Sequence, residues 1–182
     1  GFHIGTDANT AFMIGGDYLR TWVNQLGGEV HGSWRFGRTS GLGLSLYQPL
    51  DSTHRWFVEP GAAAQRSIED IFLDGEAVAR YRFSHAWGSI DAGRVFGNRM
   101  ELRAGVRSGG QSVEREIGDP ELPEISSEGY GGLTMRYSYD SRDRSVLWQS
   151  GTLARIEYFR GVEAIGAVES YDRLEGVAST VV

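Results

Sequence analysis

The sequence predicts an all-β protein, an antiparallel up-and-down meander of about eleven strands. Three observations carry this. Apolar and polar residues alternate with period two in segment after segment. Glycine accounts for 26 of 182 residues, about twice its usual share of roughly 7%, and it gathers with Asn, Asp and Ser between those segments. No convincing amphipathic helix interrupts the pattern.

Phe2–Asn9 and Phe12–Val23 open the chain as strands, and Gln25-Leu26-Gly27-Gly28 breaks the pattern. In Glu29–Phe36 the even positions Val30, Gly32, Trp34 and Phe36 oppose Glu29, His31, Ser33 and Arg35. Gly37-Arg38-Thr39-Ser40 and Pro49-Leu50-Asp51-Ser52 are turns around a strand Gly41–Gln48, and Trp56–Gln65 follows. Ile68–Glu76, with Glu69, Asp70, Asp74 and Glu76, reads as an acidic connection. Ala77–Ser84 sets Ala77, Ala79, Tyr81 and Phe83 against Val78, Arg80, Arg82 and Ser84. Ser89–Phe96 leads through Gly97-Asn98-Arg99 into Met100–Arg107, where Met100, Leu102, Ala104 and Val106 oppose Glu101, Arg103, Gly105 and Arg107. A connection with two prolines, Gly118–Glu124, precedes Gly132–Asp140. After Asp140-Ser141-Arg142-Asp143 come Thr152–Tyr158 and Ser170–Ala178, and Ser179–Val182 carries no strand signal. The whole chain, 1–182, reads as one domain without a linker.

Composition removes several classes. Five Trp, eight Tyr and eight Phe disfavour disorder, and the absence of cysteine rules out disulfides and thiolate metal sites. Net charge is −6 with dispersed basic residues, which argues against nucleic acid as a partner. The longest apolar runs, such as Ala11–Ile14, are far short of the ~20 residues of a membrane helix. That excludes a helical span but not a transmembrane barrel, whose strands alternate.

A search for chemistry finds none. No serine has glycine at both second-neighbour positions; Ser112 has Gly110 before it and Glu114 after it. His3, His31, His54 and His85 lack metal-ligand spacing. Glu69-Asp70 and the Glu121/Glu124 pair read as solvated loops rather than calcium sites. Asp74-Gly75-Glu76 reads as a turn. Ser108-Gly109-Gly110-Gln111 lacks the following helix and lysine of a phosphate cradle. The chain is expected to be no enzyme and to carry no cofactor.

Alternation alone leaves open which face points where. A soluble barrel would enclose its apolar face. A membrane barrel would show it to lipid, with the mid-strand charges Arg35, Glu59, Arg80, Arg82, Glu101, Arg103, Arg136, Arg155 and Glu157 lining a wet interior. Aromatic residues near strand ends and small residues on the apolar faces, such as Ala62, Ala64 and Ala104, suit the second arrangement.

The order of motifs decides between them. Tyr18-Leu19-Arg20-Thr21-Trp22-Val23-Asn24-Gln25-Leu26-Gly27-Gly28-Glu29 is followed by Phe36-Gly37-Arg38 and by Leu46-Tyr47-Gln48-Pro49-Leu50-Asp51. Then come Trp56-Phe57-Val58-Glu59-Pro60, Arg94-Val95-Phe96-Gly97-Asn98 and Tyr137-Ser138-Tyr139-Asp140-Ser141-Arg142-Asp143. Nearly the whole chain resembles the C-terminal β-barrel of bacterial surface antigens, the BamA-type superfamily. Within it the chain is most similar to the barrel of patatin-like phospholipases, the type Vd autotransporters. The Leu-Gly-Gly-Glu and Tyr-Gln-Pro-Leu-Asp segments are the specific ones; Asp-Ser-Arg-Asp is shared more widely.

The resemblance implies an outer-membrane barrel of about 16 strands, of which this chain would hold about the first eleven. Upstream periplasmic and passenger domains and the final strands would lie outside it. The segment would anchor, and help secrete, a patatin-like lipase passenger in a Gram-negative outer membrane. Its partners would be outer-membrane lipid, the barrel-assembly machinery and the passenger. Translocator barrels of the two-partner secretion or outer-membrane assembly type are an alternative, as is a soluble barrel binding small apolar ligands. On this reading Trp34, Leu102, Met135, Tyr137 and Ile156 face lipid, while Arg136, Asp140, Arg142 and Asp143 form a polar network in the lumen.

Overall fold

The structure, a computed structural model, describes residues 2–6, 12–73, 76–119, 125–143 and 149–181. Ten strands follow one another: β1 (Phe2–Thr6), β2 (Phe12–Arg20), β3 (Glu29–Gly37), β4 (Thr39–Pro49), β5 (Trp56–Leu73), β6 (Glu76–Phe96), β7 (Met100–Ile117), β8 (Ile125–Asp140), β9 (Gly151–Gly161) and β10 (Asp172–Val181). A 3-10 turn, Glu163–Ile165, stands between β9 and β10. The strands form one sheet in chain order, every neighbouring pair antiparallel. The meander expected from the sequence is therefore present. Among the described residues β1 pairs only with β2 and β10 only with β9.

The strand count differs from the expected eleven because Ala77–Ser84 and Ser89–Phe96 are two halves of β6. Nothing in His85-Ala86-Trp87-Gly88 competes with pairing. His85 lies opposite Gln65 on β5 and Gln111 on β7, and Trp87 lies opposite Ala63 and Gly109. The acidic connection is also corrected: residues 68–73 continue β5. Asp70 is held there by Arg38 Nη2 and Arg80 Nε, each donating at 2.7 Å. The Asp74-Gly75 turn, the expected end of the first strand at Asn9 and Pro120–Glu124 of the two-proline connection lie outside the described residues.

Other strand ends move as well. β7 runs past Arg107 to Ile117 and β8 starts at Ile125 rather than Gly132, because residues 108–113 of β7 pair with residues 125–131 of β8. β2 stops at Arg20 because the backbone turns at Trp22, φ 57°, and Asn24 Oδ1 accepts the amides of Leu26 (3.0 Å) and Gly28 (3.2 Å). β10 runs on to Val181, since its last residues pair with Gly151–Leu153.

Register sorts the side chains, because directly opposed residues share a face and neighbours along a strand do not. One row reads Trp56–Arg94–Leu102–Tyr137–Ile156–Gly176. The row beside it, on the other face, reads Phe57–Gly93–Arg103–Arg136–Glu157–Glu175. The apolar face is the accessible one: Ile90 and Leu44 are each 62% exposed and Met135 51%. The polar face holds Asp91 at 9% and Thr134 at 7%, with Phe57 and Phe159 essentially inaccessible beside them. Such a difference across a single layer means that the sheet curls around its polar face. Glycine makes the curl possible at two points. A Cβ on Gly93 would strike the Phe57 ring, and one on Gly105 would strike the Asp91 carboxylate and the Ile90 carbonyl.

Candidate functional site

The polar face is built as a chain of arginines and carboxylates across β5 to β9. Arg103 Nη1 donates to Glu59 Oε2 at 2.8 Å, and its Nε donates to Glu101 Oε1 at 2.7 Å. Its guanidinium lies 4.8 Å from the centre of the Phe57 ring, which itself packs 4.7 Å from Tyr47. A planar cation over a buried ring, with two carboxylates at its edges, is fixed in position and charge. One strand over, Arg136 Nε donates to Glu157 Oε2 at 2.8 Å, and Arg107 approaches the same carboxylate at 3.8 Å. Thr134 Oγ1 donates to Asp91 Oδ1 at 3.2 Å between the two groups.

Toward the β5–β6 hairpin the polar face becomes aromatic. His85 stacks on Trp87 at 4.9 Å and meets Tyr130 edge-on at 5.0 Å. Tyr130 continues to Phe159, 5.7 Å away, and Phe159 to Tyr171 at the same separation. Arg173 closes this series from β10, 5.5 Å above the Phe159 ring.

The apolar face has limits. On β6 it runs from Ala86 through Gly88, Ile90, Ala92 and Arg94 to Phe96, a stretch of about 11 residues, the length of a tilted membrane strand. Before Ala86 the same face turns charged. Arg82 bonds Glu114 at 3.2 Å and also Glu116, and Arg80 bonds Asp70. In that region the apolar residues, Tyr81 and Phe83, stand on the opposite side. The polarity of the two faces thus exchanges near Ser84, which is why the sequence offers two separate alternating segments in one strand. On β9 and β10 the apolar face ends at Arg160 and Asp172, directly opposed in register. Its other end carries Trp56, Phe96 and Tyr139.

The residues singled out from the sequence fall as follows. Leu102, Tyr137 and Ile156 are directly opposed on the apolar face, Met135 is two residues from Tyr137 on that face, and Trp34 joins it through Leu42. Arg136 and Asp140 share the polar side of β8, but they bond different partners. Arg136 bonds Glu157, whereas Asp140 accepts Arg142 Nη2 at 2.7 Å and Nε at 3.0 Å. That bond holds the Asp140 carboxyl below its ordinary range. Asp143 Oδ1 accepts the amides of Gln149 (3.0 Å) and Ser150 (3.3 Å) and shapes the β8–β9 connection. The stronger network, Glu59–Arg103–Glu101 with Phe57 beneath, was legible only as charges recurring at alternate positions. Its partnership spans strands 44 residues apart in sequence.

Ser112 lies within β7, not on a strand-to-helix turn. Among the described residues no group of His, Asp and Glu is placed to hold a metal ion, and no helix is long and apolar enough to cross a membrane. A scan against protein-family models found no match, and a search of curated proteins found none either.

Proposed function

We propose that the chain is part of the wall of an outer-membrane β-barrel. Its apolar face meets acyl chains and its polar face lines the barrel interior. The observation that carries this reading is the inversion of burial: aliphatic side chains stand exposed while Asp91, Thr134, Arg103 and Glu157 lie on the sheltered side. Exposed contiguous apolar surface on this scale suits lipid and not water. Strand pairing satisfies the backbone there, and closure of the edge strands into a barrel would complete it. A soluble ligand-binding barrel would need the opposite arrangement, with the aliphatic rows enclosed.

The role within a cell follows from the resemblance of the Leu-Gly-Gly-Glu and Tyr-Gln-Pro-Leu-Asp segments to the barrels of type Vd autotransporters. On that basis the segment anchors a patatin-like lipase passenger in the outer membrane and assists its secretion, after insertion by the barrel-assembly machinery.

The chain has no cysteine, so single cysteines can report on each face without background. In phospholipid vesicles a water-soluble maleimide should label a cysteine at the half-buried polar-face positions Ser89 or Ser138 and leave one at Ile90 or Met135 unlabelled until detergent is added. If Ile90 and Met135 positions label readily in vesicles, or the chain stays in buffer as a monomer without detergent, the membrane reading fails.

A further inference from the structure

At the Trp56–Phe96 end of the apolar face a cavity of about 430 Å³ opens between the β4–β5 and β6–β7 connections. Its walls include Thr53, His54, Arg55, Arg94, Phe96 and Asn98. Two features distinguish it from the other polar clusters of the molecule. First, its cations are uncommitted. Arg103, Arg136, Arg80, Arg82 and Arg142 each bond a carboxylate. Arg55 and Arg94 have no carboxylate partner among the described residues, and Arg94 Nε is buried without a hydrogen-bond acceptor. Asp51, the nearest loop acid in sequence, is engaged within its own loop and not with either guanidinium. It accepts the Arg55 amide and the Thr53 hydroxyl, each at 3.0 Å, and these bonds hold its carboxyl below the ordinary range.

Second, Arg94 is fixed rather than free. Its guanidinium lies 5.0 Å from the Trp56 ring and 4.9 Å from the Phe96 ring, so two aromatic rings hold its orientation. Register puts it on the apolar face, between Trp56 and Leu102. A guanidinium held by rings at the edge of an apolar surface, with donor capacity unspent, suits a tetrahedral oxyanion that arrives with an acyl chain attached.

We propose that this cavity binds the phosphate headgroup of an anionic membrane lipid. Arg94 and Arg55 take the phosphate oxygens, and the Asn98 amide offers a further donor. The acyl chains run along Leu102 and Ala104, next in line on β7. The lipid is the committed source, in preference to free phosphate, because the cavity opens where the aliphatic rows begin. The proposal rests on the membrane reading above.

The test is native mass spectrometry of the full chain, after vesicle insertion has been established by cysteine labelling and the protein has been extracted in detergent. Phosphatidylglycerol should be retained at least about fivefold better than phosphatidylcholine. Arg94→Gln and Arg55→Gln should each abolish that preference, and Arg94→Lys, which keeps charge but loses the planar fork, should keep part of it. Arg66→Gln, an exposed arginine on the same face at the opposite end, should change nothing. Inorganic phosphate should not displace the lipid. Equal retention of both lipids, an equal loss in Arg66→Gln, or displacement by inorganic phosphate would each overturn the site while leaving the membrane reading standing. A chain that does not insert would overturn both.

Discussion

Close approach of backbone to side chain is paid in glycine at a few positions, and their neighbours differ enough to be tested. Gly105 on β7 faces Asp91 and the Ile90 carbonyl so closely that a Cβ cannot be added without moving backbone. Gly88 on β6 has only the Gly61 carbonyl nearby, 3.8 Å from an added Cβ. Both are strand glycines, so the propensity gain on replacement by alanine is similar and only the local space differs. Gly105→Ala should therefore destabilise the folded chain by about 1–3 kcal/mol, the usual cost of overpacking. Gly88→Ala should be neutral or slightly stabilising. Denaturant titrations in one detergent, followed by tryptophan fluorescence, separate the two. The Asp91–Thr134 bond beside Gly105 gives a second readout, since its loss would expose a carboxylate that is now 9% accessible.

Elements were legible where alternation and breakers agreed, as in β3, β9 and the first half of β7, and the connections at Gly97-Asn98-Arg99 and just after Pro49 stand where turn chemistry put them. The exceptions have one physical cause. Sequence pattern reports local polarity, whereas strand continuity is decided across the sheet. Ile68–Leu73 looks like a loop because it is acidic, but Asp70 finds Arg38 and Arg80 on neighbouring strands and so remains in the ladder. β6 looks like two strands because its faces exchange polarity near Ser84, although its backbone pairs continuously on both sides. The hairpin end of β5 and β6 therefore depends on the charge of Asp70. Hydrogen bonds from Arg80, then Arg38, hold its carboxyl below the ordinary 3.8. Glu116 also acts on Arg80 from β7. The folded-state value is depressed, so the contribution is complete above the unfolded value and disappears as pH falls through the folded one. Protection of the amides at 68–73 and 79–82, taken against an unstructured chain at the same pH, should be high at pH 7 and fall below about pH 4. Asp70→Asn should show low protection at both pH values and lose the dependence. An unchanged profile in that variant would place the hairpin's stability in strand pairing alone.

For the molecule as a whole, the question that alternation could not answer was which face is sheltered, since a period of two is the same seen from either side. Strand order and register supply what was missing. They put Glu59 on β5, Arg103 on β7, Arg136 on β8 and Glu157 on β9, all on one face and close enough to neutralise one another on the curled side, and leave the aliphatic residues without a second layer. The same register predicts a depth scale. Along β7 the apolar face runs Met100, Leu102, Ala104, Val106, Ser108 and Gly110 before it reaches Glu114. Leu102 is directly opposite Arg94 and near the Phe96–Met100 end, whereas Val106 sits between Ile90 and Leu133 in the middle of the stretch. A lipid-facing arginine costs about 2–4 kcal/mol at the bilayer midplane and ~0–1 near an interface. Val106→Arg should therefore impair insertion severely, Leu102→Arg should impair it mildly, and Arg107→Leu, on the polar face, should insert nearly as wild type. The yield of folded, protease-resistant chain in vesicles measures all three. A sheet in water would rank them differently. Val106 and Leu102 are already 42% and 39% exposed, so arginine at either would be tolerated, while Arg107→Leu would remove a cation that approaches Glu157 on the sheltered side. The order of the three variants, more than the size of any one effect, decides whether lipid is the solvent of the apolar face.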